Sequence, residues 1–138
     1  MVNGDRNFFE AYVTCALWSS NDESDESGGQ PLDANYDESD IAPETMDKMR
    51  ADCLKFQVDN ADLLARYYEL IPEGRDSSGE WTPEAQAGHD FWLSRNGHGA
   101  GFFDRDVPHE LRDSLQELAR RAGEFDLYIG DDGLIYGQ

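Results

Sequence analysis

The chain is 138 residues long, and 30 Asp and Glu against 11 Lys and Arg give it a formal net charge of −19. This length suits one domain, and 38% hydrophobic residues suffice for a core. The charge disfavours direct binding to nucleic acid or anionic membrane and favours a basic protein surface. Salt adaptation and codon bias are alternative explanations, since nine of the eleven basic residues are arginines.

The sequence gives no sign of export or membrane insertion. No apolar run approaches the ~20 residues of a membrane span, and the first residues lack the pattern of a signal peptide. Cys15 and Cys53 lie among apolar residues of predicted helices, where each is expected to be a small core residue and not a reactive thiol. We therefore expect a cytoplasmic protein without disulfides and without a membrane partner.

A first helix is predicted over residues 7–18, where apolar residues recur at spacings of three and four, with Asn7 as its N-cap. Residues 19–40 contain two glycines and a proline and are predicted to form a long loop, mobile around 21–30. Leu32 and Tyr36 are expected to anchor its second half. Residues 1–138 thus form one predicted domain with an acidic mobile loop at about 19–40.

The strongest predicted helix spans residues 42–70, with Ser39 or Asp40 as its cap and Pro43 in its first turn. Its apolar residues repeat at spacings of three and four as far as Leu70, with an interruption at Asn60. This stripe is expected to face the core, and a helical dimer interface is the alternative.

The second half of the chain is predicted to add two helices and a hairpin. Thr82 is the expected N-cap of a helix that ends at 96–97, and a glycine-rich connection over 96–106 leads to a helix at 108–122. Alternating apolar residues and the turn signal Asp132–Gly133 predict a C-terminal β-hairpin. Four helices and one hairpin define an α+β fold that is mostly helical.

The acidity is concentrated in the predicted loop, where eight acidic residues and no basic one contribute −8 of the formal charge. These eight form the predicted binding surface: Asp22, Glu23, Asp25, Glu26, Asp33, Asp37, Glu38 and Asp40. The following helix is expected to expose four more carboxylates: Asp47, Asp52, Asp59 and Asp62. Lys48, Lys55 and Arg66 are expected to pair within that helix, which leaves the loop as the better candidate.

The densest group of residues with chemical potential lies between positions 89 and 106. It contains His89, Asp90, Arg95, Asn96, His98, Asp104 and Arg105. Histidine and aspartate are common acid–base groups and metal ligands, but the spacing matches no strong zinc pattern. A structural role is the favoured interpretation, with a metal or catalytic site and a binding loop as alternatives. We assign no metal ligand, catalytic residue or cofactor.

Several segments together resemble a known set of proteins: CALWSS at 15–20, PLDANY at 31–36, IAPETM at 41–46, AGHDFWLSRNGHGAGFFDRD at 87–106 and DLYIGDDGLIYG at 126–137. They resemble small, mostly uncharacterised proteins of tailed bacteriophages, whose central motif typically reads HDFWLTRNGHGAGFWDR. This chain departs from that motif at Ser94 and Phe103. The resemblance implies a phage protein in the cytoplasm of an infected bacterium, and it implies no reaction.

Three functions fit these observations. The first is an acidic, non-enzymatic protein that binds and inhibits a basic, nucleic-acid-binding host defence complex, of anti-CRISPR or anti-restriction type. Such a protein would imitate DNA, because a helix rising ~1.5 Å per residue approaches the charge spacing of ~1.7 Å in the duplex. The second is a phage accessory or structural protein acting through a homodimer or another phage protein. The third is a small metal-dependent enzyme that uses the His89 and His98 region.

Overall fold

The computed structural model describes the backbone of residues 2–22, 30–70, 82–97, 101–104 and 107–138, and the side chains of 8–20, 31–70, 82–97, 101–102 and 107–138. These residues form five α-helices: α1 (Val2–Ser19), α2 (Pro43–Asp59), α3 (Ala61–Leu70), α4 (Pro83–Arg95) and α5 (His109–Arg121). Two short antiparallel pairs accompany them: β1 (Asn21–Asp22) with β2 (Gln30–Pro31), and β3 (Leu127–Ile129) with β4 (Ile135–Gly137). The predicted α+β fold, mostly helical with a C-terminal hairpin, is confirmed.

Helix α4 is the centre of the fold, since all but two of its thirteen residues are buried. It packs most extensively against α1. The two helices approach closely at Gly88, where a side-chain Cβ would overlap the carbonyl oxygen of Phe8. One turn further along α4, Phe91 stacks on Phe56 of α2 with ring centroids 4.2 Å apart. Helix α4 also contacts α3, α5 and the 3₁₀ turn Gly101–Asp104.

The helix predicted over 42–70 is two helices, because the chain bends at Asn60. The Asn60 backbone has φ −123° and ψ 30°, and its side-chain amide donates to the Phe56 carbonyl oxygen at 2.9 Å. A side chain that bonds the carbonyl of the preceding turn in this way competes with the regular helical ladder. The predicted inward stripe is confirmed at Met49, Cys53 and Phe56, whereas Leu70 is exposed.

Both predicted caps of the first two helices are wrong. Helix α1 already begins at Val2, so Asn7 lies within it. Helix α2 follows Ala42, which offers no side-chain hydrogen bond, and begins directly at Pro43. Asp40 instead closes a 3₁₀ turn with Asp37, in which each side chain accepts a backbone N–H of the turn.

The predicted loop at 19–40 contains regular structure where it is described. Besides β1 and β2 it holds two 3₁₀ turns, Leu32–Ala34 and Glu38–Asp40. Leu32 is fully buried and Tyr36 packs against the core, so both predicted anchors are confirmed. Residues 23–29, which make up most of the stretch predicted to be mobile, lie outside the described residues.

Three features predicted for the second half are confirmed, whereas residues 98–100 and 105–106 of the glycine-rich connection lie outside the described residues. The Thr82 hydroxyl accepts the Ala85 N–H at 3.1 Å and caps α4, with Pro83 in the first turn. Helix α5 ends just before Gly123, whose φ of 86° favours glycine. In the hairpin turn, the Asp132 carboxylate accepts the Leu134 N–H at 3.0 Å.

The hairpin joins the N-terminal half of the fold through its second strand. The Ala42 N–H donates to the Ile135 carbonyl oxygen at 2.9 Å, and Ile41 pairs with Ile135 in a parallel bridge. Strand β1 also contacts β3. Of the helices described, none combines the length and hydrophobicity that a bilayer span requires.

Candidate functional site

Asp90 of the central motif is fully buried and accepts hydrogen bonds within the core. The Tyr67 hydroxyl of α3 donates to Asp90 Oδ2 at 2.5 Å, and Gln86 Nε2 donates to Asp90 Oδ1 at 3.0 Å. His89 is partly exposed, and its Nδ1 lies 3.4 Å from Asp90 Oδ1. The carboxylate therefore links α3 to α4, since a buried acceptor is retained only where donors satisfy it.

Arg95 at the end of α4 is buried and makes four hydrogen bonds. Its guanidinium donates to Tyr12 Oη and to Asp52 Oδ2, each at 2.9 Å. It also donates to the carbonyl oxygens of Gly123 at 2.7 Å and Ala122 at 3.0 Å, at the end of α5. Arg95 thus connects α1, α2, α4 and α5, and burial raises the pKa of Tyr12 so that its hydroxyl stays protonated.

Ser94 and Asn96 fix the segments that follow α4. The Ser94 hydroxyl donates to Gln116 Oε1 at 2.8 Å and accepts the Phe102 N–H at 3.1 Å. Asn96 Oδ1 accepts the Phe125 N–H at 2.8 Å, just before β3. These contacts support the structural interpretation of the motif at the positions described.

The rest of the motif is not gathered into a site by the described contacts. His98 and Arg105 lie outside the described residues, as does the side chain of Asp104. Within the described part of the chain, no three His, Cys, Asp or Glu side chains converge closely enough to hold a metal ion. The metal and catalytic alternatives for the motif thus gain no support from these residues.

Both cysteines are buried free thiols, and their surroundings disfavour the reactive thiolate form. Burial raises the pKa of the Cys15 thiol to about 12 and that of Cys53 well above its ordinary value. At neutral pH both thiols are protonated, and a protonated thiol is a poor nucleophile. The prediction that they are core residues is confirmed.

The negative charge is distributed unevenly along the chain. Residues 7–47 contain eleven Asp and Glu and no Lys or Arg, and residues 122–138 contain four acids and no Lys or Arg. These two base-free segments account for fifteen of the nineteen net negative charges. Every Lys or Arg except Arg6 lies between them, over 48–121.

The fold brings the two base-free segments together. The Ala42–Ile135 hydrogen bond joins them, and Glu44 of the first lines one cleft of about 550 Å³ with Asp131 and Asp132 of the second. We use the name acidic face for the eight carboxylates of these segments that lie on the 3₁₀ turns or their caps, at the start of α2, directly before β3 or in the hairpin turn. They are Asp33, Asp37, Glu38, Asp40, Glu44, Asp126, Asp131 and Asp132.

The acidic face is not neutralised by the cations of the described residues. The carboxylates in the described Lys and Arg ion pairs are Asp52, Asp59, Glu110, Asp113 and Glu117, and none of them belongs to the acidic face. Hydrogen bonds from Ser39 and Tyr136 lower the pKa values of Asp37 and Asp132, so both stay charged. The Tyr136 hydroxyl, bonded to Asp132 at 2.6 Å, has its pKa raised to about 12.

Of the four carboxylates predicted to be exposed on α2 and α3, Asp52 and Asp59 take part in described ion pairs, and Asp47 and Asp62 do not. Asp52 was predicted to be exposed, but it lies between Lys48 and the buried Arg95, and its side chain is only 15% exposed. Asp59 pairs with Lys55 at 2.8 Å as predicted, whereas Arg66 pairs with Glu110 of α5 instead of a carboxylate in its own helix. Asp47 and Asp62 are exposed.

The eight predicted loop carboxylates are described only in part. Asp33, Asp37 and Glu38 are exposed, and Asp40 is partly exposed. Glu23, Asp25 and Glu26 lie outside the described residues, as does the side chain of Asp22. Sequence reasoning missed the hairpin acids as neighbours of this loop. The absence of Lys and Arg over 122–138 was a signal that could have indicated them.

Comparison with protein-family models, with curated proteins and with solved structures found no match. The resemblance to tailed-bacteriophage proteins therefore stays a prediction, which depends on the quoted segments alone.

Proposed function

We propose that this chain is a non-enzymatic binding protein whose acidic face docks on a basic surface that normally holds nucleic acid. The observation that carries the proposal is the convergence of two base-free segments on one face. Like-charged groups at one surface repel each other and lower the stability of the fold. A fold that gathers them therefore loses some stability and gains a strong negative electrostatic potential at that surface.

The acidic face resembles a nucleic-acid backbone in the features that a basic channel recognises. Its carboxylates lie on 3₁₀ turns, at a helix N-terminus and in or beside a hairpin. Duplex DNA presents one negative charge per ~1.7 Å of its axis, and proteins that bind it respond mainly to that charge. A cluster of carboxylates that form no ion pair with the described cations would occupy the same Lys and Arg side chains of the partner.

The proposed biological setting follows from the resemblance to tailed-bacteriophage proteins. In an infected bacterium, basic nucleic-acid channels occur in defence complexes such as CRISPR effectors and restriction enzymes. We propose that the partner is such a complex and that docking inhibits it by excluding nucleic acid. Electrostatic attraction would also speed the encounter between the two proteins.

The proposal is tested by affinity capture from bacterial lysate at low and high salt, followed by competition with duplex DNA. The association constant is expected to fall as the salt concentration rises. The slope of its logarithm against the logarithm of the salt concentration is set by the number of charges neutralised. Bound protein is also expected to be displaced by the duplex. Capture that is indifferent to both salt and duplex DNA would contradict the proposal.

A pair of matched triple variants locates the surface. Asp37→Asn, Glu44→Gln and Asp131→Asn together remove three charges from the acidic face. The control variant removes three exposed charges elsewhere, Glu69→Gln, Asp113→Asn and Glu117→Gln. Capture is expected to fall about tenfold or more in the first variant and to change little in the second. Equal losses in both would show that only net charge matters and that the acidic face is not the docking surface.

A further inference from the structure

A cleft of about 450 Å³ lies between α2 and the end of α5. Its volume falls within the range of sites that hold small molecules, roughly 300–1,000 Å³. None of the described residues that line it belongs to the acidic face, so it is a separate feature of the molecule. We call it the α2–α5 cleft.

Part of the lining of the α2–α5 cleft is apolar. Phe56 of α2 and Phe91 of α4, whose rings stack with centroids 4.2 Å apart, both contribute to it. Leu118 and Ala122 contribute from α5 and the residue that follows it. Apolar lining of this kind favours a ligand with an apolar body, because binding removes both surfaces from water.

Three cations also line the cleft, and each of them has donors to spare. Each forms one described ion pair: Lys48–Asp52, Lys55–Asp59 and Arg121–Glu117. A single N–H bonds the carboxylate in each pair, whereas an ammonium carries three N–H groups and a guanidinium carries five. The three cations can therefore keep these carboxylates and still donate to an anion in the cleft.

The charges of these ion pairs do not cancel, because Asp52 serves two cations. It accepts from Lys48 at 2.9 Å and from the buried Arg95 at 2.9 Å. The other partners described for Arg95 are the Tyr12 hydroxyl, which stays protonated, and two backbone carbonyl groups. The described ion pairs that include a lining residue thus contain four cations and three carboxylates, an excess of one positive charge.

This excess of positive charge decides which ligand fits the cleft. The chain as a whole has a net charge of −19, so a cationic ligand is attracted more strongly to the acidic face than to the cleft. An anionic group gains charge-assisted hydrogen bonds from the lining cations, which are stronger than bonds between neutral groups. The apolar lining and the surplus cation together select a molecule that is apolar at one end and anionic at the other.

We propose that the α2–α5 cleft binds a small amphipathic anion. Its aromatic or aliphatic body lies against the apolar lining, and its single acidic group, a carboxylate, sulfonate or phosphate, is held by the lining cations. This inference does not depend on the proposed function, because the two surfaces share no described residue.

Two fluorescent probes with the same aromatic skeleton test the role of charge. Anilinonaphthalene sulfonate carries an anionic group, and phenylnaphthylamine lacks it. In titrations of the full chain, the sulfonate is expected to occupy a single site and to bind about tenfold more tightly than the neutral probe, in spite of the net charge of −19. A neutral probe that binds as tightly as the sulfonate would overturn the inference. So would a sulfonate that does not bind at concentrations up to about 1 mM.

Matched variants test the location of the site. Lys48→Gln and Arg121→Gln each remove one lining cation, and Arg120→Gln removes the same charge from the neighbouring position of α5, which is not among the described lining residues. The first two variants are expected to bind the sulfonate about threefold to tenfold more weakly and the neutral probe as the wild type does. Arg120→Gln is expected to bind both probes as the wild type does.

All three substituted side chains are exposed, so the variants are expected to stay folded, which circular dichroism checks. Equal weakening of sulfonate binding in Arg120→Gln and Arg121→Gln would show that only net charge matters, and would overturn the assignment of the site to the cleft.

Discussion

The buried side chains of α4 are polar at several positions, and Asp90, Ser94 and Arg95 each bond a group in another element. Arg95 is the most connected, with bonds to Tyr12, Asp52 and two carbonyl groups. A buried cation without its acceptors is costly, and lysine cannot reproduce the planar fork of a guanidinium. Arg95 is therefore a structural tie among four helices.

The first prediction concerns this tie. Arg95→Lys is expected to lower the free energy of unfolding by about 2–4 kcal/mol, because one ammonium cannot reach the four acceptors. Arg66→Lys, at an exposed pair with Glu110, is the control and is expected to change stability by less than about 0.5 kcal/mol. Urea unfolding followed by circular dichroism measures both. Similar values for the two variants would show that the Arg95 contacts contribute little.

The second prediction concerns the Cys15 thiol, whose pKa burial raises to about 12. A folded-state pKa above the unfolded value means that this contribution to stability is complete below the unfolded pKa, about 8.5, and is lost as pH rises. We expect the free energy of unfolding to fall between about pH 9 and pH 11, and to fall less in Cys15→Ala. Urea unfolding at several pH values measures this, and a pH dependence unchanged in Cys15→Ala would contradict it.

At the residue scale, the sequence predicted which groups are buried better than it predicted their partners. The core cysteines and the Leu32 anchor follow from apolar spacing alone. The bonds of Arg95 to Tyr12 and Asp52 join residues 83 and 43 positions apart, which no local pattern encodes. The predicted exposure of Asp52 failed for this reason, because a regular helix pattern does not reveal a buried cation from a distant segment.

At the scale of elements, the contact between α1 and α4 depends on a residue without a side chain. Gly88 faces the backbone of Phe8 so closely that a methyl group has no space there. Backbone atoms of a helix cannot rotate aside as a flexible side chain does, so the two helices would have to separate.

The third prediction follows from that contact. Gly88→Ala is expected to destabilise the fold by about 3 kcal/mol or more, despite the better helix propensity of alanine. Gly123→Ala is the matched control, since it meets open space and suffers only the strain of φ 86°, about 1–2 kcal/mol. Chemical denaturation of both variants compares the costs. A Gly88→Ala chain as stable as the wild type would mean that α1 is not packed this closely.

The elements that the sequence predicted correctly are those with local chemical signals. Thr82 before Pro83 marked the start of α4, and Asp132–Gly133 marked the hairpin turn. The bend at Asn60 was visible only as an interrupted stripe, because helix propensity alone does not separate a bend from a continuous helix. The start of α1 at Val2 was missed, since the apolar periodicity begins later than the helix does.

At the scale of the whole molecule, the chain combines a mixed-charge helical body with an acidic face. The body holds ten of the eleven cations, over 48–121, and pairs most of those described with carboxylates. Among the described cations, none compensates the acidic face in this way, so solvent ions or a basic partner would relieve its self-repulsion.

The fourth prediction is that added salt stabilises the folded chain. Raising NaCl from about 0.02 M to 0.5 M is expected to increase the free energy of unfolding by on the order of 1 kcal/mol, through screening of the acidic face. The triple variant Asp37→Asn, Glu44→Gln and Asp131→Asn is expected to gain less from salt than the triple control variant. Thermal unfolding of all three chains measures this, and equal gains would assign the effect to net charge alone.

The concentration of acids in one loop was readable from the sequence, but the acidic face was not. Asp126, Asp131 and Asp132, in or beside the hairpin, become neighbours of the other five acids only because Ala42 pairs with Ile135 across 93 positions of the chain. Charge counts along a sequence do not show which distant segments meet.

The Ala42–Ile135 pairing makes the acidic face a discontinuous epitope. A synthetic peptide covering residues 30–44 would carry five of its charges without Asp126, Asp131 and Asp132 beside them. Peptide arrays and blots of denatured protein would consequently under-report binding, and a screen for the partner should present the intact, folded chain. Loss of recognition on unfolding would itself serve as a sensitive reporter of the native state.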